Sequence, residues 1–293
     1  MPRLVRRELL INRAVDEKTP NREGELALPD PSGVNDGPSW RLIRGLLVDI
    51  DGTLQVAGRP IAGAAEALAA LRGRLPFLFT TNTSRMPRSE VAAVLDAMGF
   101  DASADEVLTA AMAAALRLQQ EGVTRVQLLA PDSVMRDFSA FEITDAAPEA
   151  VVVADMGPGF TFEILNAAFR NLLDGARLVA IHRNRYWITE AGPTLDAGPF
   201  VAALEVAAQT EAELVGKPEP AFFEMAAATL GVAVDRLAVV GDDPETDVEG
   251  ARRAGLFAIQ VRTGKGETAR PRDADLIIDS IRDLPPLLLG AGS

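Results

Sequence analysis

Four short segments place acidic, hydroxyl and ammonium side chains just past apolar runs. The first, Leu47-Val48-Asp49-Ile50-Asp51-Gly52-Thr53-Leu54, ends a run suited to a buried strand with two aspartates one residue apart. Neighbouring carboxylates repel, and they persist where a cation neutralises them or one keeps its proton; both conditions suit a catalytic site. An Asp-Gly turn that closes a strand uses the same letters, so this segment alone leaves both readings open. The second, Phe79-Thr80-Thr81-Asn82-Thr83-Ser84, sets hydroxyls and an amide where they can donate to phosphate oxygens. Ser84 is equally suited to capping a helix before Pro87. The third, Val215-Gly216-Lys217-Pro218-Glu219-Pro220, holds one lysine on a rigid connection into a helix. Lys217 gains its weight from the other segments, since most lysines are solvated. The fourth is Val239-Val240-Gly241-Asp242-Asp243-Pro244-Glu245-Thr246-Asp247. Carboxylates from two strand ends, with water and substrate oxygens completing an octahedron, are what Mg2+ prefers. Asp243, Glu245 and Asp247 also suit a helix N-terminus, whereas Asp242 directly follows the run and is the better ligand.

Composition narrows the chemistry. The chain has 293 residues, no cysteine and a single histidine, His182. Disulfides, thiolate metal sites, cysteine nucleophiles and multi-histidine zinc sites are excluded, and little room is left for a Ser/His/Asp triad. A net charge of −13 repels nucleic acid and anionic lipid, so neither is expected as a partner. A small anion requires a locally positive pocket, and hence a bound metal or a buried cation. No segment has the length of a membrane span, and the N-terminal arginines are not followed by the apolar run of a signal peptide, so the chain reads as cytoplasmic.

The elements that must position these residues follow a βαβ rhythm. Residues 1–40 read as an N-terminal extension, partly disordered or laid across the surface. Buried strands are expected at 46–50, 77–80, 237–241, 257–261 and 276–278, with helices at 62–71, 89–98, 219–230 and 245–254. Gly99, Gly231 and Gly255 are the expected helix stops. A smaller α/β series, with strands at 126–129, 151–154 and 178–181 and a helix at 162–173, marks an inserted domain over 123–195. The core is then 41–122 and 196–293, and the fold class is α/β with a parallel sheet.

Taken together and in this order, the four segments resemble the haloacid dehalogenase superfamily, whose motifs are Asp-x-Asp-Gly-Thr, a Thr or Ser after the second strand, a Lys, and Gly-Asp-Asp-x-x-x-Asp. The resemblance covers about residues 43–290 and implies a Rossmann-like core with an inserted α/β cap of type II. Val151 to Asp155, Asn166 to Phe169, Arg185-Tyr186, Leu195 to Pro199 and Val261-Arg262-Thr263-Gly264-Lys265 resemble the phospholysine phosphohistidine inorganic pyrophosphate phosphatase branch. Animal members of that branch often carry Ser where this chain has Asp51, and the full acid pair favours a competent phosphatase. The resemblance implies that Asp49 is the nucleophile and Asp51 the general acid and base. It implies Mg2+ on the carboxylates of Asp49 and Asp242 and the backbone carbonyl of Asp51, with Asp243 and Asp247 positioning metal waters or Lys217. Thr81, Asn82 and Lys217 would bind the phosphoryl oxygens of a small phosphorylated substrate. His182, Arg183, Arg185 and Tyr186, after an expected cap strand, are candidates for substrate specificity beside a structural role. A homodimer is compatible with the resemblance, since dimers through the cap occur among similar proteins. The alternatives are a non-catalytic binding protein on the same fold, a phosphomutase and a dehalogenase; the last has no need of Asp51 or Asp242.

Overall fold

Strands covered on both faces need apolar side chains on both, and this chain supplies them in short unbroken runs. The computed structural model describes residues 39–189, 192–268 and 274–290. The expected N-terminal extension, apart from residues 39–40, lies outside the described residues. In chain order the elements are β1 (Gly45–Asp49), β2 (Gln55–Val56), β3 (Arg59–Pro60), α1 (Ala64–Leu71), β4 (Phe77–Thr81), α2 (Arg88–Ala97), β5 (Val107–Thr109) and α3 (Ala110–Gln120). A second series follows with β6 (Arg125–Leu129), β7 (Glu142–Ile143), β8 (Ala150–Val153), α4 (Phe162–Leu173), β9 (Arg177–Ala180), β10 (Tyr186–Thr189), β11 (Gly192–Leu195), α5 (Ala197–Ala208) and β12 (Glu213–Leu214). The chain returns through α6 (Pro220–Leu230), β13 (Leu237–Gly241), a π-helical turn (Pro244–Glu249), α7 (Gly250–Arg253), β14 (Phe257–Val261), β15 (Leu276–Ile278) and α8 (Leu284–Leu289).

The main sheet has six parallel strands in the order β15-β14-β13-β1-β4-β5. Strand order runs outward from β1 in both directions, so the crevice beside its carboxyl end is the point where open α/β sheets bind ligands. The second sheet is five-stranded and parallel, in the order β12-β9-β8-β6-β7. Alternate residues of β1 face different layers. Leu46 and Val48 pack with Phe79, Leu68 and Leu95 against α1 and α2. Leu47 packs with Leu78, Val239, Phe222 and the alanines of α3, and the same apolar cluster continues to Val126, Val152 and Val179 of the second sheet. The outer face of the second sheet is closed by α4 and α5 through Leu172, Val201 and Leu204.

The fold class is as expected, and the differences are local. The second layer continues past the expected limit at 195, through α5 and β12 as far as Leu214. β12 is two residues long, and the fork of Arg177 holds it through Glu213 at 2.9 and 2.7 Å. The expected helix over 245–254 opens instead as the π-helical turn, in which Val248 N donates to Asp243 O at 3.2 Å. π turns of this kind widen a helix by one residue and recur at functional sites. Here the widened turn lays the Asp247 carboxylate on Gly241, where a Cβ would stand 2.3 Å from Asp247 Cγ.

Phe79, fully buried in β4, should lose about 3–5 kcal/mol of unfolding free energy on replacement by Ala. Val206→Ser, at an 81% exposed position on α5, should stay within about 0.5 kcal/mol of wild type. Denaturant unfolding monitored by circular dichroism separates the two, and equal losses would contradict the layer assignment.

Candidate active site

Parallel pairing gathers side chains at one sheet edge. Asp49 closes β1, Thr81 closes β4 and Asp242 directly follows β13. Lys217 enters from the connection between β12 and α6, and its Nζ donates to Asp49 Oδ1 and to Asp247 Oδ1, both at 2.6 Å. All of these are buried, with Lys217 5%, Asp49 7%, Asp242 3% and Asp247 1% exposed. Carboxylate oxygens of Asp49, Asp242 and Asp247 lie within 4.8 Å of one another. Three oxygen donors on one side of a cavity are what a hard divalent cation requires.

Asp247 holds Lys217, one of the two roles expected of it, and its carboxylate also joins this trio; Asp51, expected to offer its backbone carbonyl, contributes no side-chain oxygen to it. The chain turns sharply after β1, with Leu54 N donating to Ile50 O at 2.9 Å. That turn swings Asp51 to an exposed position, where Gln55 Nε2 donates to its Oδ1. Gly52 must adopt φ +90 there, and a Cβ on it would stand 2.0 Å from Asp242 Oδ2. Only glycine permits that approach.

The second segment divides its labour. Asn82 Nδ2 donates to Lys217 O at 2.7 Å, and Lys217 N donates to Asn82 Oδ1 at 2.9 Å. Both ends of the Asn82 amide thus hold the Lys217 backbone, and the expected phosphate contact by this side chain gives way to a positioning role. Thr81 Oγ1 accepts from Thr83 N at 3.1 Å, which keeps its own hydroxyl proton for a ligand. Ser84 does not cap α2, whose N-cap is Pro87. Its Oγ stands 2.8 Å from His182 Nε2 and accepts from Asp155 N at 3.3 Å, tying the main sheet to the second one.

These residues line a cavity of about 330 Å³ that faces the carboxyl ends of both sheets. From the second sheet come Asp155, after β8, and His182, after β9, joined by Asn184 and Asp196. Of the specificity candidates only His182 reaches the cavity. Arg183 pairs with Glu205 and lines a separate cavity, while Arg185 and Tyr186 are exposed outside both. The irregular segment between β9 and β10 has no strand period from which sequence reasoning could assign sides. Sequence reasoning also passes over Gln55 and Lys265 as site residues. Gln55 carries no motif signal, and Lys265 stands in the Val261-to-Lys265 stretch that enters only through resemblance.

Burial and crowding set the electrostatics. Burial, then the charge of Asp247, pushes the Asp49 carboxyl well above the usual range, and Lys217 pulls against both. Burial likewise raises Asp242 to about 6, against the hydrogen bond from Lys265 N. Burial opposes the Lys217 charge, but Asp247 and Asp49 overcome it and hold the ammonium above its ordinary value. Burial also lowers His182, which Asp196 and Asp155 offset only in part. Without a further cation the cluster is overloaded with negative charge.

Asp242→Asn should therefore be more stable than wild type at pH 7 in the presence of EDTA. The charged form of Asp242 opposes folding once the pH exceeds its ordinary value near 3.8, and the penalty is complete above about 6. Lowering the pH to about 4 should close the gap, as read by urea unfolding. A gap constant across that range would refute the electrostatic assignment.

Comparison with known proteins meets this geometry. Residues 46–144 match a haloacid dehalogenase-like hydrolase family model, and residues 214–284 match a second model of HAD-hydrolase-like proteins. The phospholysine phosphohistidine inorganic pyrophosphate phosphatase of Bos taurus is 41% identical over 261 residues, 84% of this chain and 94% of that protein. Haloacid dehalogenase-like hydrolase domain-containing protein 2 of Homo sapiens is 41% identical over 226 residues, 77% of this chain and 86% of that protein. Among solved structures, the 4-nitrophenylphosphatase of Thermotoga maritima superimposes with a TM-score of 0.76 at 28% identity, covering 85% of this chain and 99% of that one. The chain belongs to the haloacid dehalogenase-like hydrolase family.

Proposed function

We propose that the chain is a Mg2+-dependent phosphatase that hydrolyses a small phosphorylated metabolite, as a phosphomonoester, phosphoamidate or pyrophosphate, through a phosphoaspartate on Asp49. The observation that carries this reading is the convergence of Asp49, Asp242 and Asp247 around the Lys217 ammonium at the carboxyl edge of the main sheet. The similar proteins whose names state phosphatase activity support the substrate class, and a cavity of about 330 Å³ suits a small molecule.

The residues fit the metal the family implies. Buried carboxyls pushed to high pKa by their neighbours are what a divalent cation relieves, and hard oxygen donors match Mg2+. Asp49, Asp242 and Asp247 would hold it, and when bound it would neutralise charge on the transferring phosphoryl group.

Asp49 attacks phosphorus as the bond to the leaving oxygen, or to the leaving nitrogen of a phosphoamidate, breaks, and Asp51 gives that atom a proton. Gln55 occupies Oδ1 of Asp51 and leaves Oδ2 for the proton. Water then attacks the phosphoaspartate, passes its proton to Asp51, and releases phosphate with Asp49 restored. Lys217 and the Thr81 hydroxyl bind phosphoryl oxygens throughout, while Asn82 fixes Lys217. His182, held neutral by burial and anchored on Ser84, faces the leaving group from the second sheet.

Asp49→Asn should abolish Mg2+-stimulated release of phosphate from p-nitrophenyl phosphate while leaving the circular dichroism unchanged. Asp51→Asn should reduce kcat about 10²–10⁴-fold, the usual range for loss of a general acid and base. Wild-type turnover by Asp49→Asn would eliminate the proposed nucleophile.

A further inference from the structure

The segment after β14 packs directly against Asp242 and Gly52. Thr263 Oγ1 donates to Gly52 O at 2.5 Å, which ties this loop to the turn between Asp51 and Thr53. Gly264, at φ +55, brings the backbone so near that a Cβ would stand 2.3 Å from Asp242 Oδ2 and 2.5 Å from Gly52 Cα. The next residue, Lys265, uses that approach twice. Its backbone N donates to Asp242 Oδ2 at 2.6 Å, and its Nζ donates to Asp243 Oδ2 at 2.5 Å. The other oxygen of Asp243 accepts from Glu245 N at 2.9 Å and Thr246 N at 3.2 Å, which starts the π-helical turn. Asp243 N in turn donates to Asp247 Oδ2 at 3.2 Å.

We infer that the Lys265 side chain positions the cation-binding carboxylates, acting on Asp247 through Asp243 and the turn that follows, beside the backbone N–H that holds Asp242. The inference rests on the phosphatase reading and its metal, and it deepens that reading. Two of the three carboxylates in the trio are thereby located by one residue whose side chain is 72% exposed. An exposed lysine on a surface loop would ordinarily serve solubility alone. This one is distinguished because its two donors address consecutive acids, Asp242 and Asp243, at an edge where Gly52 and Gly264 permit close approach.

Position and charge make opposite demands, and magnitude decides between them. Losing a cation near the trio would tighten Mg2+ binding, but an exposed ion pair is worth at most about fivefold. Losing an outer partner that orients ligands weakens metal binding by about 10–100-fold. Positioning should therefore win, with the exposure of Lys265 placing the effect at the lower end.

The test is calorimetric titration of Mg2+ into wild type, Lys265→Met, Lys265→Gln and Lys265→Arg, each verified as folded by its thermal melt. The expected result is a Kd raised about tenfold in Lys265→Met and Lys265→Gln. In Lys265→Arg, which keeps the ammonium's role with a guanidinium, Kd should stay within about threefold of wild type. With p-nitrophenyl phosphate, kcat of Lys265→Met should recover to within about threefold of wild type at saturating Mg2+, since the nucleophile and Lys217 are untouched. Unchanged or tighter Mg2+ binding in folded Lys265→Met and Lys265→Gln would overturn the positioning role while leaving the phosphatase reading intact. Absence of Mg2+ uptake by wild type would overturn both.

Discussion

An ammonium held between two carboxylates inside a protein is stable only if all three groups stay together, because any one of them alone would carry an unpaired charge out of water. Lys217 sits in that position between Asp49 and Asp247, at 2.6 Å from each. The constraint is severe, since the three residues come from distant parts of the chain. It is met by the fold, in which β1 and β13 are hydrogen-bonded neighbours and Asn82 grips the Lys217 backbone from the end of β4. The same grouping leaves more negative charge than Lys217 can offset, and the raised carboxyls of Asp49 and Asp242 express that surplus. That surplus is what a divalent cation, if bound there, would relieve.

The second sheet completes the site by presenting its own carboxyl edge to the same cavity. Ser84, His182 and Asp155 form the hydrogen-bonded link across the gap, and one apolar cluster spans both sheets beneath it. The cavity is thus lined from two layers, with Asp49, Thr81 and Asp242 on the main sheet and Asp155, His182 and Asn184 on the second. Nothing in the main sheet need change for the substrate to change, which is how one core can serve many substrates.

Much of this was legible in the sequence because strand-end residues are neighbours of their strands. The runs ending at Asp49, Thr81 and Asp242 announce both the strand and the side chain it delivers, and the parallel sheet follows from their spacing. Gly99, Gly231 and Gly255 end their helices at positive φ, as residues without a Cβ allow. Illegible were elements shorter than a period, such as β7 with its two residues, which pairing rather than propensity creates. The place of Asp247 in the carboxylate trio, unlike its expected contact with Lys217, was equally hidden, since it depends on a π turn that the helical pattern of 245–254 does not signal. Asn82 and Lys265 show a further limit. Residue type indicates what a side chain can bind, but whether it faces a ligand or another residue's backbone is decided by contacts far away in sequence.

In the proposed mechanism Asp49 itself accepts the phosphoryl group. Acid quenching during turnover, followed by borohydride reduction and peptide mass spectrometry, reads that event directly, because reduction converts an aspartyl phosphate to homoserine. The expected product is homoserine at position 49, dependent on both substrate and Mg2+. Homoserine at another aspartate, or none under conditions of active turnover, would rule out Asp49 as the acceptor.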